Sequence, residues 1–110
     1  MPLVISDQVI RTTSEGFLVD RADWNPVVAC AIAEAHSIEL SDAHWEIVTL
    51  IQNWCDAGNE PPSMRELVAE TGRRLGKPKA RSIYLMKLFG PSPAKMAARL
   101  AGVPRPKNCL

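Results

Sequence analysis

Long hydrophobic runs are missing from this chain of 110 residues, and near its N-terminus no basic segment is followed by an apolar stretch. A transmembrane helix needs about 20 consecutive, mostly apolar residues, and a secretory leader needs a basic segment followed by an apolar one. We therefore expect a cytoplasmic protein with no membrane partner. The length fits one domain, which can bury a core without metals or disulfides.

Paired cysteines and metal-ligand motifs are also missing. The three cysteines are an odd number, and no two of them form a Cys-x-x-Cys motif. This argues against a disulfide framework and against a structural zinc site. Neither His36 nor His44 has a second ligand at metal-binding spacing, so we interpret both as solvated or helix-capping residues. The sequence predicts neither a cofactor nor a metal.

Charge of one sign is not in excess, because the net charge is only +1. Bulk charge therefore does not recruit nucleic acid, and we do not expect direct nucleic-acid binding. One local basic group lies between two predicted helices and allows two interpretations. It is either a solvated turn near a helix C-terminus or a docking patch for RNA, DNA or an acidic protein, as in a helix-turn-helix. Its members are Arg73, Arg74, Lys77, Lys79 and Arg81.

Helix caps and apolar spacing predict a mainly α domain of about five helices, some in a helix-turn-helix-like arrangement, with a small N-terminal β-hairpin. Asn25 followed by Pro26 begins the first helix, and Ser63 to Glu66 forms a capping box for the third. The β-prone runs Gln8–Thr12 and Phe17–Asp20 predict the hairpin. The helices are expected at Pro26–Ala35, Asp42–Ala57, Met64–Leu75, Lys79–Leu88 and Pro93–Ala101.

The second helix has the broadest apolar surface and is expected at the centre of the core. Its predicted inward face includes Cys55, and Cys30 is expected to pack on the first helix. The three tryptophans are interpreted as core anchors. The predicted inward face of the fourth helix consists of Ala80, Ile83, Tyr84 and Leu88.

The C-terminal residues predict a mobile arm over residues 102–110, joined to a helical body over residues 1–101. Gly102 is typical of the position just after a helix end. Pro104 and Pro106 then favour an extended backbone, which reaches at most about 20 Å from Gly102 to Cys109. The penultimate residue, Cys109, therefore lies near the tip of a semi-rigid segment.

Cys109 is the candidate nucleophile, because sulfur transfer needs a thiolate that another protein can reach. Nearby cations favour the thiolate, whereas the terminal carboxylate of Leu110 opposes it. An accidental cysteine in a frayed terminus is the alternative. No Ser/His/Asp set, paired carboxylates or phosphate-binding glycine loop is evident, so we do not expect a complete enzyme active site; a sulfurtransferase that carries a persulfide is the one enzyme class left open. The residues expected to dock a partner are Pro104, Arg105, Pro106, Lys107, Arg99 and Lys95.

Several separate motifs occur along the chain from about Gly16 to the C-terminus. They are residues 16–20 (GFLVD) with Trp24, 38–40 (IEL) with His44-Trp45, Pro62 with 65–68 (RELV), Leu88-Phe89, 93–95 (PAK), and 101–106 (AGVPRP) with Cys109. Together they resemble the DsrC/TusE family of small sulfur-carrier proteins. The resemblance implies a helical fold with a small hairpin and a mobile C-terminal arm bearing the active cysteine.

One departure from the family pattern concerns Ala98, where dissimilatory members of the family carry a second cysteine. A single penultimate cysteine resembles the TusE branch. That resemblance implies a sulfurtransferase that accepts a persulfide from an upstream relay complex and passes it to a tRNA 2-thiouridine-forming enzyme. The alternative is a DsrC-like partner of sulfite reductase, or a regulator, that binds protein or DNA without a two-cysteine redox cycle.

Overall fold

A computed structural model describes residues 3–5 and 7–107. Within them, five α-helices follow a two-stranded antiparallel sheet, so the predicted mainly α fold with a small N-terminal sheet is confirmed. The elements are β1 Leu3–Ile5, β2 Gln8–Ile10, α1 Pro26–Ala35, α2 Asp42–Asp56, α3 Met64–Leu75, α4 Ser82–Phe89 and α5 Pro93–Ala101. Short 3₁₀ turns at Arg21–Asp23 and Lys77–Lys79 precede α1 and α4.

The strand pairing differs from the predicted hairpin. Gln8–Ile10 pairs with Leu3–Ile5, a partner that the sequence did not indicate. The predicted pairing is present only beside its turn, where Thr12 bridges Leu18 and the Val19 N–H donates to the Arg11 carbonyl at 3.1 Å. Asp7, in the connection between the strands, has a left-handed φ of 70°. Phe17 is buried with an exposed fraction of 2%, and its carbonyl accepts a hydrogen bond from the Thr13 N–H at 2.7 Å across the predicted turn.

The core is built around α2 and α5, so the prediction that α2 is central is confirmed. Helix α5 packs on α1, α2 and α4. Its buried surface consists largely of alanines, whose small side chains let neighbouring helices approach closely. The buried α5 residues are Pro93, Ala94, Ala97, Ala98, Leu100 and Ala101, and those of α2 are His44, Ile47, Val48, Leu50 and Ile51.

Capping residues define the helix starts as predicted. The Asn25 side chain accepts a hydrogen bond from the Val28 N–H at 2.9 Å, which satisfies one free donor of α1. At α2, the Ser41 N–H donates to His44 Nδ1 at 3.1 Å. The second ring nitrogen of His44, Nε2, lies 2.7 Å from the Leu88 carbonyl oxygen. The tautomer protonated on Nε2 makes both bonds, so His44 is a capping residue that also ties α2 to α4.

Two predictions about the apolar faces are wrong. Ile83 on α4 is 59% exposed, whereas Leu85 and Phe89 are buried. This helix is apolar on most of its circumference, so spacing alone does not select its inward face. Cys30 is exposed, because the residues that α1 buries, Val28 and Ala29 among them, lie on its other side. The expected burial of Cys55 is only partial.

Candidate functional site

The C-terminal segment starts where α5 ends, at Gly102. Gly102 has a left-handed backbone with φ 74°, as the sequence predicts. Its N–H donates to the Arg99 carbonyl at 3.2 Å, and the Val103 N–H donates to the Ala98 carbonyl at 3.2 Å. These two bonds form a Schellman motif, which ends a helix and turns the chain away from its axis.

Two side chains from distant parts of the chain hold the last carbonyls of α5. The Trp24 indole N–H donates to the Leu100 carbonyl at 2.7 Å, and the Gln52 amide donates to the Ala101 carbonyl at 3.1 Å. A Cβ atom added to Gly102 would lie 2.5 Å from Trp24 Cδ1, so the indole packs directly on the glycine backbone. Sequence reasoning assigned Trp24 to the core but missed both bonds, because no local pattern links residues this far apart.

Residues 103–107 lie against the body, contrary to the expectation that the chain departs from it at Gly102. Val103 is fully buried, and Pro106 is buried as well. Arg105 Nη1 lies 3.1 Å from Glu15 Oε1, and Lys107 Nζ lies 2.8 Å from Glu60 Oε1. The hydrogen bond from Lys107 to Glu60 holds the pKa of this lysine above its usual value. The mobility of residues 102–110 stays a prediction.

The other two predicted docking cations lie on α5. Arg99 Nε donates to the Glu15 carbonyl at 2.7 Å, and its guanidinium carbon lies 4.9 Å from the centre of the Phe17 ring, a cation–π distance. Lys95 is half-buried. Arg99 and Arg105 thus share Glu15, whereas Lys107 binds Glu60 elsewhere. The predicted docking residues therefore do not form one free basic surface.

Cys109 lies outside the described residues, so its surroundings are not part of the geometry above. Of the other two thiols, Cys30 lies exposed on α1, and Cys55 is half-buried on α2. Burial raises the pKa of the Cys55 thiol, with a smaller opposing effect of Arg21, which makes it a poor nucleophile near neutral pH. Ala98 is fully buried and offers no thiol to pair with Cys109.

Three of the five cations in the basic group between α3 and α4 form ion pairs within the molecule. Arg73 Nε and Arg74 Nε lie 2.8 and 2.7 Å from the Glu70 carboxylate, which is buried with 4% exposure. Their hydrogen bonds hold the pKa of Glu70 below its usual range. Lys79 binds Glu46 at 3.0 Å. These bonds favour a solvated structural turn over a nucleic-acid surface.

The described part of the chain contains neither a candidate metal cluster nor a helix that could span a membrane. No group of three or more His, Cys, Asp or Glu residues at 3–5 and 7–107 is placed to hold a metal ion. Within the same residues, no helix combines the length and the apolar character needed to cross a membrane.

Comparison with protein families gives a match over nearly the whole chain. The family model described as "DsrC like protein" matches residues 4–110. A protein named "Sulfurtransferase TusE homolog" from Haemophilus influenzae is 42% identical over 101 residues, which cover 92% of this chain and 93% of the relative. Sulfurtransferase TusE from Pectobacterium atrosepticum is 36% identical over 108 residues, covering 98% and 99%.

Solved structures with the same fold agree with that match. The NMR structure of Allochromatium vinosum DsrC superposes with a TM-score of 0.89 at 34% identity, with 100% of both chains covered. The crystal structure of the oxidized gamma-subunit of the dissimilatory sulfite reductase (DsrC) from Archaeoglobus fulgidus gives a TM-score of 0.82 at 30% identity, also over 100% of both chains.

Proposed function

Since the chain belongs to the DsrC-like protein family and is a sulfur-relay protein like its TusE relatives, we propose that Cys109 carries the sulfur as a persulfide. One structural contrast supports this choice. The chain contacts the body as far as Lys107, and Cys109 follows two positions later. Cys55, by contrast, is half-buried with a raised pKa.

The proposed chemistry is two successive exchanges at sulfur. The Cys109 thiolate attacks the terminal sulfur of a persulfide on the donor, a new S–S bond forms, and the donor cysteine leaves as a thiolate. In the second step, a thiolate of the acceptor attacks the terminal sulfur of the Cys109 persulfide, and Cys109 leaves as a thiolate. Each step breaks one S–S bond and forms another, so no external oxidant or reductant is needed.

The cations before Cys109 serve two purposes in this proposal. Positive charge at Arg105 and Lys107 favours the thiolate against the carboxylate of Leu110. The same side chains dock a partner, because their ion pairs with Glu15 and Glu60 are exposed at the surface and such pairs are weak. A partner with its own carboxylates can therefore replace Glu15 and Glu60. Exposed Pro104 keeps this segment extended during the exchange.

The proposed donor is an upstream sulfur-relay complex, and the proposed acceptor is a tRNA 2-thiouridine-forming enzyme. The absence of a thiol at buried Ala98 supports this choice over a sulfite-reductase cycle, because Cys109 has no cysteine at that position for an internal disulfide. Cytoplasmic localisation is part of the proposal. The free thiols of Cys30 and Cys55 suit a reducing compartment.

Transfer of labelled sulfur tests the proposal. A persulfide donor loaded with radioactive sulfur is mixed with the protein, and the label is then followed onto a thiolating enzyme. We expect Cys109→Ser to abolish both acceptance and delivery, while the matched controls Cys30→Ser and Cys55→Ser keep both. If Cys109→Ser still relays the label, another residue is the carrier. If even the wild-type chain accepts none, the alternative of a binding or regulatory protein gains support.

A further inference from the structure

We propose that Trp24 and Gln52 are positioning residues that set the direction in which the Cys109-bearing segment continues from the end of α5. This inference rests on the proposed role of Cys109 in sulfur delivery. Neither residue would touch the transferred sulfur. They act through the end of α5, where their bonds to two successive carbonyls, Leu100 and Ala101, come from two different parts of the fold.

Two sets of contacts fix that direction. The Schellman bonds of Gly102 and Val103 return to α5 itself, which packs on α1 and α2. Trp24 lies between the 3₁₀ turn Arg21–Asp23 and α1, and Gln52 lies on α2. Their bonds add a direct link from the last carbonyls of α5 to these two parts of the fold.

The packing of Trp24 adds a third constraint at the same point. A Cβ atom on Gly102 would lie within 2.5 to 2.8 Å of three Trp24 atoms. The indole plane thus limits rotation of the backbone at Gly102, while its N–H holds the preceding carbonyl. Gly102 itself is buried, so water does not replace this contact without displacing the ring.

The path of the segment starts at the end of α5, so its first residues decide where Cys109 is presented. Val103 and Pro106 are buried against the body, and their packing follows on from the position of the α5 end. Sulfur exchange requires reacting atoms about 3–3.5 Å apart, and a misplacement of about 1 Å already slows such a reaction. The ion pairs of Arg105 and Lys107 are exposed and exchangeable. When a partner takes them over, the contacts at Gly102 and the buried side chains of Val103 and Pro106 hold the segment.

Distance measurements between spin labels test this proposal without any sulfur chemistry. In a Cys55→Ser background, nitroxide labels are attached to exposed Cys30 and to Cys109. We expect Trp24→Phe, which keeps a ring over Gly102 but loses the N–H donor, to broaden the distance distribution by several ångström. Gln52→Met, of similar length without a donor, should have the same effect.

Thr71→Val is the matched control. The Thr71 hydroxyl donates to the Leu67 carbonyl within α3 at 2.7 Å. This variant therefore also loses a hydrogen bond from a side chain to a carbonyl, but both partners lie in α3 and not at the end of α5. Its distance distribution should match that of the parent. If Trp24→Phe and Gln52→Met also match the parent, the positioning role is refuted. If Trp24→Phe does not fold, the distance distribution of Gln52→Met alone decides whether the positioning role is refuted.

Kinetics then separate positioning from stability. Delivery of sulfur to a thiolating enzyme should fall about tenfold in kcat in Trp24→Phe, with KM little changed, because a misdirected tip docks as before but reaches the acceptor less often. The rate of Cys109 with a small aromatic disulfide should stay at the wild-type value. Equal losses in both reactions would contradict the inference. If the wild-type chain delivers no sulfur, the proposed function fails, whereas the spin-label distances still decide the positioning role.

Discussion

Replacing Gly102 by alanine should destabilise the protein more than the same change at another left-handed glycine. At Gly102, φ is 74° and the added Cβ would lie 2.5 Å from Trp24 Cδ1. Ordinary carbon contacts are about 3.5–4.0 Å, so the indole has to move by about 1 Å. That movement lengthens its 2.7 Å hydrogen bond to the Leu100 carbonyl.

The magnitude follows from two contributions. A non-glycine residue in the left-handed region costs about 1–2 kcal/mol, and this is partly offset by the lower entropy of the unfolded chain. Loss of the indole hydrogen bond and of its packing adds about 2 kcal/mol. We therefore expect Gly102→Ala to lower the free energy of unfolding by about 3 kcal/mol.

Gly58 supplies the matched control. It also has a left-handed φ, 97°, but an added Cβ would meet nothing within 4 Å. Gly58→Ala should therefore cost only the backbone contribution, about 1 kcal/mol. Urea unfolding followed by far-UV circular dichroism measures both values. If the two variants lose the same free energy of unfolding, the packing of Trp24 on Gly102 does not have the energetic role described above.

Two further outcomes follow from the titratable and thiol side chains. Exposed Cys30 should react with a thiol reagent faster than Cys55, because burial raises the pKa of the Cys55 thiol. The two rates are measured in Cys109→Ser, with each labelled site mapped by mass spectrometry. Equal rates would contradict the partial burial of Cys55. The pKa of Glu70 is lowered in the folded state. The ionised side chain therefore stabilises the fold at pH values above the unfolded-state pKa of about 4.3. This stabilisation is lost as the pH falls through the folded-state pKa. The difference in unfolding free energy between wild type and Glu70→Gln should accordingly be largest near neutral pH and should shrink in acid. A difference that is independent of pH would contradict the role of Arg73 and Arg74.

The sequence predicts those parts of the fold that depend on local chemistry. Asn25, Ser41 and Ser63 begin helices where their capping preferences indicate, and Gly102 ends α5 in the predicted left-handed conformation. These features depend on residues within one turn of each other. Local patterns therefore establish the five helices and the point where the C-terminal segment starts.

Long-range contacts are what the sequence does not predict. The bond from Trp24 to Leu100 joins residues 76 positions apart, and Glu15 meets Arg105 across 90 positions. The contacts of residues 103–107 with the body depend on such pairs, so proline spacing alone did not indicate them. Similarly, the sequence pattern did not indicate that β2 pairs with Leu3–Ile5, because it placed the partner of this strand after the turn.

The identity of the sulfur-carrying residue is tested most directly by mapping the persulfide. The wild-type protein is incubated with a persulfide donor, its free thiols and persulfides are trapped by alkylation, and its peptides are analysed by mass spectrometry. We expect the added sulfur atom on the C-terminal peptide that contains Cys109. A persulfide found instead on the peptide of Cys30 or Cys55, with Cys109 unmodified, would contradict the proposal that Cys109 is the carrier.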